Sequence, residues 1–151
     1  MKADELWKRF TKKYPDYKEE TYEAWSYGAA EDKLADLTLK GIKTATTSGY
    51  ALYEAEGEPV PKEGDFSVIL DGQDQAVCII RTTKVYVQPF SEASERHAYK
   101  EGEGDRTLAY WRDVHIEFFE TFYQEAGIPF NEDALMVYEE FEKVFPDGGT
   151  E

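Results

Sequence analysis

The sequence predicts an α+β fold in which helices flank a curved, largely antiparallel sheet or small barrel. Three observations carry that expectation. Apolar residues recur at helical spacing near both ends of the chain, over residues 3–14 and 107–126. Strand-like runs cover 65–70, 76–87 and 134–145, the second of them rich in Val, Ile and Thr. Asp71-Gly72 between the first two of these runs marks a hairpin turn.

From the N-terminus, Leu6, Trp7 and Phe10 define one face of a helix over 3–14, and Pro15 ends it. Its other face, with Lys8, Arg9, Lys12 and Lys13, is the most basic piece of the chain and reads as a solvated side. Tyr17 to Gly28 follows with Tyr22, Trp25 and Tyr27 close together, an aromatic cluster that packs under a loop or lines a pocket for a flat ring. Ala29 to Lys40 is a second helix, with Ala30, Leu34 and Leu37 on one face and Gly41 as its stop. Residues 1–40 thus form a mostly helical arm.

Ile42 to Tyr53 has strand-like Thr and Ala content, and Glu54 to Gly64, with Pro59 and Pro61, reads as an exposed loop. After the strands at 65–70 and 76–87, Gln88-Pro89 breaks the pattern and Ser91 caps a short helix over Glu92 to Tyr99. Glu101-Gly102-Glu103-Gly104-Asp105 reads as a helix–helix connector whose Asp105 caps the helix at 107–126, which Gly127 ends. Ala134 to Phe145 closes the sheet, and residues 147–151 form a frayed tail. No repeat or second domain is visible, so residues 1–151 are expected to form one domain.

Composition narrows the function classes. The 151 residues include 15% aromatics, enough for a packed core despite 32% charged side chains. No apolar run approaches the ~20 residues needed to span a bilayer, and the charged start lacks the apolar stretch of a signal peptide. Cys78, the single cysteine, lies in an apolar run and reads as a buried, inert thiol. A cytoplasmic protein is expected. With 17 basic against 32 acidic residues the net charge is −15, which favours a small substrate over a long polyanion. Neither a spaced-oxygen calcium loop nor H-E-x-x-H is present, so no metal or other cofactor is expected.

The most chemically suggestive stretch is Lys40-Gly41-Ile42-Lys43-Thr44-Ala45-Thr46-Thr47-Ser48. An unprotonated Lys43 can take the proton from a Thr46 that attacks a carbonyl. In a regular strand positions 43 and 46 face opposite sides, so the pairing demands a turn or bulge near 44–45. The same spacing fits an ordinary loop-to-strand transition. His115, inside the apolar stripe Leu108, Trp111, His115, Phe118, Phe119 and Phe122, reads as a hydrogen-bonded core histidine. His97 with Glu101 four residues on reads as a helical surface pair.

Several motifs, in order, carry a resemblance. Gly41-Ile42-Lys43-Thr44-Ala45-Thr46, then Pro61-Lys62-Glu63-Gly64-Asp65, then Glu95-Arg96-His97-Ala98 with Glu101-Gly102-Glu103-Gly104-Asp105-Arg106, and Tyr110-Trp111-Arg112-Asp113-Val114-His115 through Phe118-Phe119 resemble the ASCH family of PUA-like β-barrels. The resemblance runs from about Trp25 to the closing strand. It implies a PUA-like barrel flanked by helices, a fold associated with RNA binding and, in some bacterial members, with ribonuclease activity. Other small bacterial members are similar to metal-independent amidohydrolases that remove the acyl group from N4-acylated cytidine with a Lys, a Thr three residues later and a distant Glu. Carried over by motif, those positions are Lys43, Thr46 and Glu101.

On that reading Thr46 attacks the amide carbonyl and Lys43 is its base. The ordinary lysine pKa of about 10.4 must then fall by roughly two to three units, with Lys40 and Arg81 as candidate cationic neighbours. Glu101 either donates a proton to the departing amine or stays ionised and orients Lys43, and the second role opposes a basic Lys43. Trp25 or Tyr27 stacks on the pyrimidine and Arg81 binds a carbonyl oxygen or ribose. The partner is a modified nucleoside, or else RNA held by Lys43 on a phosphate.

Overall fold

Leu6, Trp7 and Phe10 bury one face of helix α1 (Ala3–Lys13) against Phe66, Val68 and Ile79 of the sheet, as their spacing predicts. The structure, a computed structural model, describes residues 1–147. Pro15 opens a short 3-10 turn, and the chain then enters strand β1 (Tyr22–Ser26) before helix α2 (Glu31–Leu39). Strand β2 (Ala45–Gly49) runs directly into helix α3 (Tyr50–Glu56). Strands β3 (Phe66–Leu70) and β4 (Ala76–Pro89) form a hairpin, and helices α4 (Glu95–Glu101) and α5 (Leu108–Ala126) precede strand β5 (Leu135–Phe145).

The five strands make one sheet in the order β1-β3-β4-β5-β2. β1 pairs parallel to β3, and the remaining pairs are antiparallel. Register shifts interrupt the long β4–β5 ladder, at Ile79/Ile80 and at Thr82/Lys84. Bulges of this kind bend a strand and raise its twist. The sheet therefore curls into a half-barrel with β1 and β2 as its two edges, the mixed sheet flanked by helices that the sequence predicts. Tyr123 and Phe119 of α5 join Phe90, Met136 and Tyr138 in the core beneath β5.

Several local expectations are corrected. The arm at 1–40 is not helical throughout, because Tyr22–Ser26 is a strand: the aromatic β-formers there find backbone partners along β3. The run to Tyr53 is not strand beyond Gly49. A Cβ at Gly49 would lie 2.5 Å from the Tyr123 hydroxyl oxygen, so only glycine lets the chain turn against α5. The cap of α4 is Ser94 rather than Ser91, its side chain accepting from the His97 N–H. Thr107 caps α5, and Asp105 steadies it by accepting from the Thr107 N–H and hydroxyl.

At the start of the expected tail, Asp147 accepts hydrogen bonds from Lys13 and from the Tyr14 hydroxyl; residues 148–151 lie outside the described residues. Burial pushes the Cys78 thiol up to about 12, which keeps it protonated and unreactive. Among the described residues no helix is long and apolar enough to cross a membrane.

Gly49→Ala should destabilise the fold by about 1–3 kcal/mol through this overpacking. Urea unfolding checks it, and a midpoint equal to wild type would show that Tyr123 yields freely.

Candidate active site

Gly41, at φ 77°, ends α2, and residues 42–44 run irregularly before β2 begins at Ala45. This segment is pinned on both sides. The Thr44 N–H donates to the Lys100 carbonyl at 2.7 Å, and the Phe141 N–H donates to the Thr44 carbonyl at 3.0 Å. Lys43, in this segment, and Thr46, on β2, line one cavity. Gly102, at φ 75°, lets the end of α4 approach closely: a Cβ there would stand 2.8 Å from the Ile42 carbonyl oxygen. That approach brings Glu101 and Glu103 onto Lys43.

Lys43 and Glu101 are each 1% exposed. Lys43 Nζ donates to Glu101 Oε1 at 3.0 Å and to Glu103 Oε2 at 3.1 Å. Glu101 Oε2 accepts from the Thr47 hydroxyl at 2.6 Å and from Trp111 Nε1 at 2.7 Å, with His97 Nε2 at 3.0 Å. His97 Nε2 is also 2.7 Å from the Thr47 hydroxyl oxygen, while its Nδ1 has no hydrogen-bond partner. A neutral His97 protonated at Nε2 satisfies this network and leaves only a lone pair unmatched, among the edges of Tyr138, Trp111 and Tyr86. His115 Nε2 stands 3.6 Å from Glu101 Oε1, its Nδ1 at 2.8 Å from the Trp111 carbonyl.

The electrostatics follow from these contacts. Burial pushes the Glu101 carboxyl up, but Lys43, His115 and the hydrogen bond from His97 overcome it and hold the group well below its usual range. Burial likewise pulls the Lys43 ammonium down, and the carboxylates of Glu101 and Glu103 more than reverse this, holding it above the ordinary lysine value. His115 is pulled down by burial and raised overall by Glu101. In the resting state Lys43 is therefore a cation and Glu101 an anion. Glu101, Glu103 and His115 bring ligand atoms within 4.8 Å of one another, a spacing suited to a cation. The Lys43 ammonium occupies that role between the two carboxylates.

Two cavities meet at Tyr27, Gly28, Thr46, Thr47 and Phe118. The smaller, about 240 Å³, contains Lys43, Glu101, Glu103 and His115. The larger, about 610 Å³, opens at the seam between edge strands β1 and β2 and falls in the ~300–1,000 Å³ range of small-molecule sites. Trp25 lines the larger cavity and meets Tyr27 edge-on at 5.1 Å. Tyr27 lines both, its hydroxyl 2.8 Å from the Thr38 hydroxyl oxygen and its ring 5.2 Å from Lys43 Nζ. No hydrogen bond among the described residues engages the Thr46 hydroxyl, which leaves it unspent where the cavities meet.

Arg81 lines neither cavity: its guanidinium packs over the rings of Phe66 and Tyr17 at 5.1 and 5.7 Å. Nor does Lys40 neighbour Lys43, for it pairs with Asp36 at 2.7 Å on the surface. The cations expected to depress Lys43 are thus replaced by carboxylates. His97 and Glu101 are a buried pair rather than a surface one, because α4 packs onto β2. Sequence reasoning missed Thr47 and the site contacts of both histidines. The signal within reach was Glu-x-His followed by Glu at i+4, which puts both side chains on one face of α4.

Residues 23–145 match the ASCH domain family. An ASCH domain of known structure from Lactobacillus crispatus JV V101 is 32% identical, covering 93% of this chain and 92% of that one, with a TM-score of 0.86. Protein EF3133 from Enterococcus faecalis V583 is 35% identical, over 94% of this chain and 87% of that one, with a TM-score of 0.83. The hypothetical protein PH0355, 14% identical with a TM-score of 0.51 over 82% of this chain and all of its own, shares the fold alone. No curated protein matches the chain.

The buried pair has a stability consequence. A carboxyl depressed on folding stabilises the chain above its unfolded value of 4.5, and that contribution is lost as pH falls through the folded value. Glu101→Gln should therefore flatten the acid side of a plot of urea midpoint against pH. Lys43→Met, which leaves a buried carboxylate without its main partner, should cost about 3–5 kcal/mol at neutral pH. Wild-type midpoints for Lys43→Met would contradict the pairing.

Proposed function

The chain belongs to the ASCH domain family, and on that premise we propose that it is a metal-independent amidohydrolase that removes the acyl group from N4-acylated cytosine nucleosides. The observation that carries the reading is the unengaged Thr46 hydroxyl, at the junction of an aromatic-walled cavity and a buried Lys43–Glu101 pair. An aromatic wall with hydroxyls suits a flat, neutral base, and Trp25 and Tyr27 are the rings that would hold it. The net charge of −15 favours a neutral nucleoside over an RNA chain.

The nucleophilic step follows from the pair. Filling the cavities replaces the water beside the pair with an uncharged ligand, which narrows its preference for the ionised form. One proton moves from Lys43 Nζ to Glu101 Oε1 along their 3.0 Å hydrogen bond. The amine takes the Thr46 proton as Oγ1 attacks the acyl carbonyl. Lys43, cationic again, faces the developing oxyanion. Glu101 thus serves as the partner of Lys43, and Thr47, whose hydroxyl is committed to Glu101, holds that carboxylate in place.

Wild type should release cytidine from N4-acetylcytidine in the presence of EDTA, and Thr46→Ala should slow it by at least about a thousandfold. Turnover should be nearly flat in salt, as expected for an uncharged substrate. Equal release from the variant would remove Thr46 from the chemistry. No release from several acyl groups, together with RNA binding that weakens steeply with salt, would favour an RNA-binding module instead.

A further inference from the structure

Both oxygens of Glu101 are engaged by Lys43, Thr47, His97 and Trp111, so the proton it takes from Lys43 is held within that network and the departing cytosine amine needs a proton from elsewhere. Glu139 stands directly across the β2–β5 ladder from Thr46. Side chains directly opposed in an antiparallel pair share a face, with Cβ atoms about 4.5–5.5 Å apart. Both line the larger cavity. Glu139 is nonetheless buried, at 5% exposure, and the Thr82 hydroxyl donates to its Oε2 at 2.6 Å. Its Oε1 has no hydrogen-bond partner among the described residues.

Building on the amidohydrolase reading, we infer that Glu139 is a second catalytic carboxyl, the acid that protonates the leaving N4 nitrogen and then the base that activates water. Its surroundings suit a proton donor. The cavity's other titratable groups are Tyr22 and Glu23 on β1, Tyr27 just after it, Tyr53 and Glu56 on α3, and Glu58, Lys62 and Asp65 in the following loop. Lys62, the one lysine among them, is engaged by Asp65 at 2.7 Å rather than by Glu139. Burial, with the charge of Asp65, pushes the Glu139 carboxyl up against the opposing hydrogen bond from Thr82. Two carboxyls at one site are thereby driven apart, Glu101 down and Glu139 up, the pattern that divides acid and base roles.

The steps balance. As the tetrahedral intermediate collapses, the C–N4 bond breaks, its electron pair stays on nitrogen, and the Glu139 proton joins N4 to release neutral cytidine. Glu139, now a carboxylate, takes a proton from water as the water oxygen bonds to the acyl carbon. The C–Oγ1 bond of Thr46 then breaks, Oγ1 recovers its proton from Lys43, and Glu101 returns to Lys43 the proton it took at the start, leaving a carboxylic acid and the starting protonation states.

The test is kcat and KM for N4-acetylcytidine as functions of pH, in wild type, Glu139→Gln and Thr82→Val, with folding checked by circular dichroism. Glu139→Gln should lower kcat by at least about a hundredfold with little change in KM, and should erase the alkaline limb of kcat. Thr82→Val removes a hydrogen bond that favours the ionised carboxyl, so its alkaline limb should move to higher pH. A Glu139→Gln enzyme with wild-type kcat, or one altered only in KM, overturns the acid role while leaving the amidohydrolase reading intact. If Glu139→Gln does not fold, the Thr82→Val limb decides, and an unmoved limb overturns the proposal. Wild type inert towards every acyl cytidine overturns both readings together.

Discussion

The buried Lys43–Glu101 pair is the constraint on which the arrangement of this site depends. Taking two charges out of water is costly, and their attraction offsets that cost only when the remaining lone pairs and protons are satisfied. Glu101 meets the condition by drawing on four parts of the chain: Lys43 before β2, Thr47 within it, His97 on its own helix, and Trp111 on α5. One carboxylate thus fixes how α4, α5 and the β2 edge sit together. Gly102 and the irregular segment 42–44 are the local conditions that let them meet. A network of this kind is also rigid, and rigidity is what a site needs to hold a nucleophile in position.

Around that pair the curled sheet does the rest. Because β1 and β2 are edges rather than neighbours, the seam between them is open, and the two cavities join along it at Tyr27 and Thr46. The cross-strand partner of Thr46 is Glu139 on β5. The half-barrel therefore brings two buried carboxyls of opposite character to the cavities that join at Thr46, Glu101 paired with Lys43 and Glu139 hydrogen-bonded by Thr82. Bulges in the β4–β5 ladder contribute by curling the sheet that carries Glu139.

The strands β3, β4 and β5 were legible as apolar runs, buried at consecutive positions, and the helices α1 and α5 as stripes of helical period, through Phe10 and its neighbours and from Trp111 to Phe119. Strand β1 has neither signal, since only Tyr22 and Trp25 are partly covered and the rest faces out. Helix α3 is a single seven-residue piece whose Tyr and Ala content reads equally well as strand. Lys43 and Thr46 were visible as a spacing, and Glu101 through the order of motifs. The contacts of Thr47 and His97 join residues 50 apart, which no local pattern encodes. Arg81 was misplaced for a related reason: a half-buried cation on a strand says nothing about which aromatic rings it covers, and here they are Phe66 and Tyr17.

Whether Thr46 forms a covalent acyl intermediate is the most direct question the account raises. Mass spectrometry of the chain, quenched during turnover of N4-acetylcytidine with EDTA present, answers it. The account predicts an acetyl group on Thr46 that is absent when Thr46 is alanine. An acetyl group on Thr47 or Ser48 instead, or an intact substrate after prolonged incubation, would contradict it.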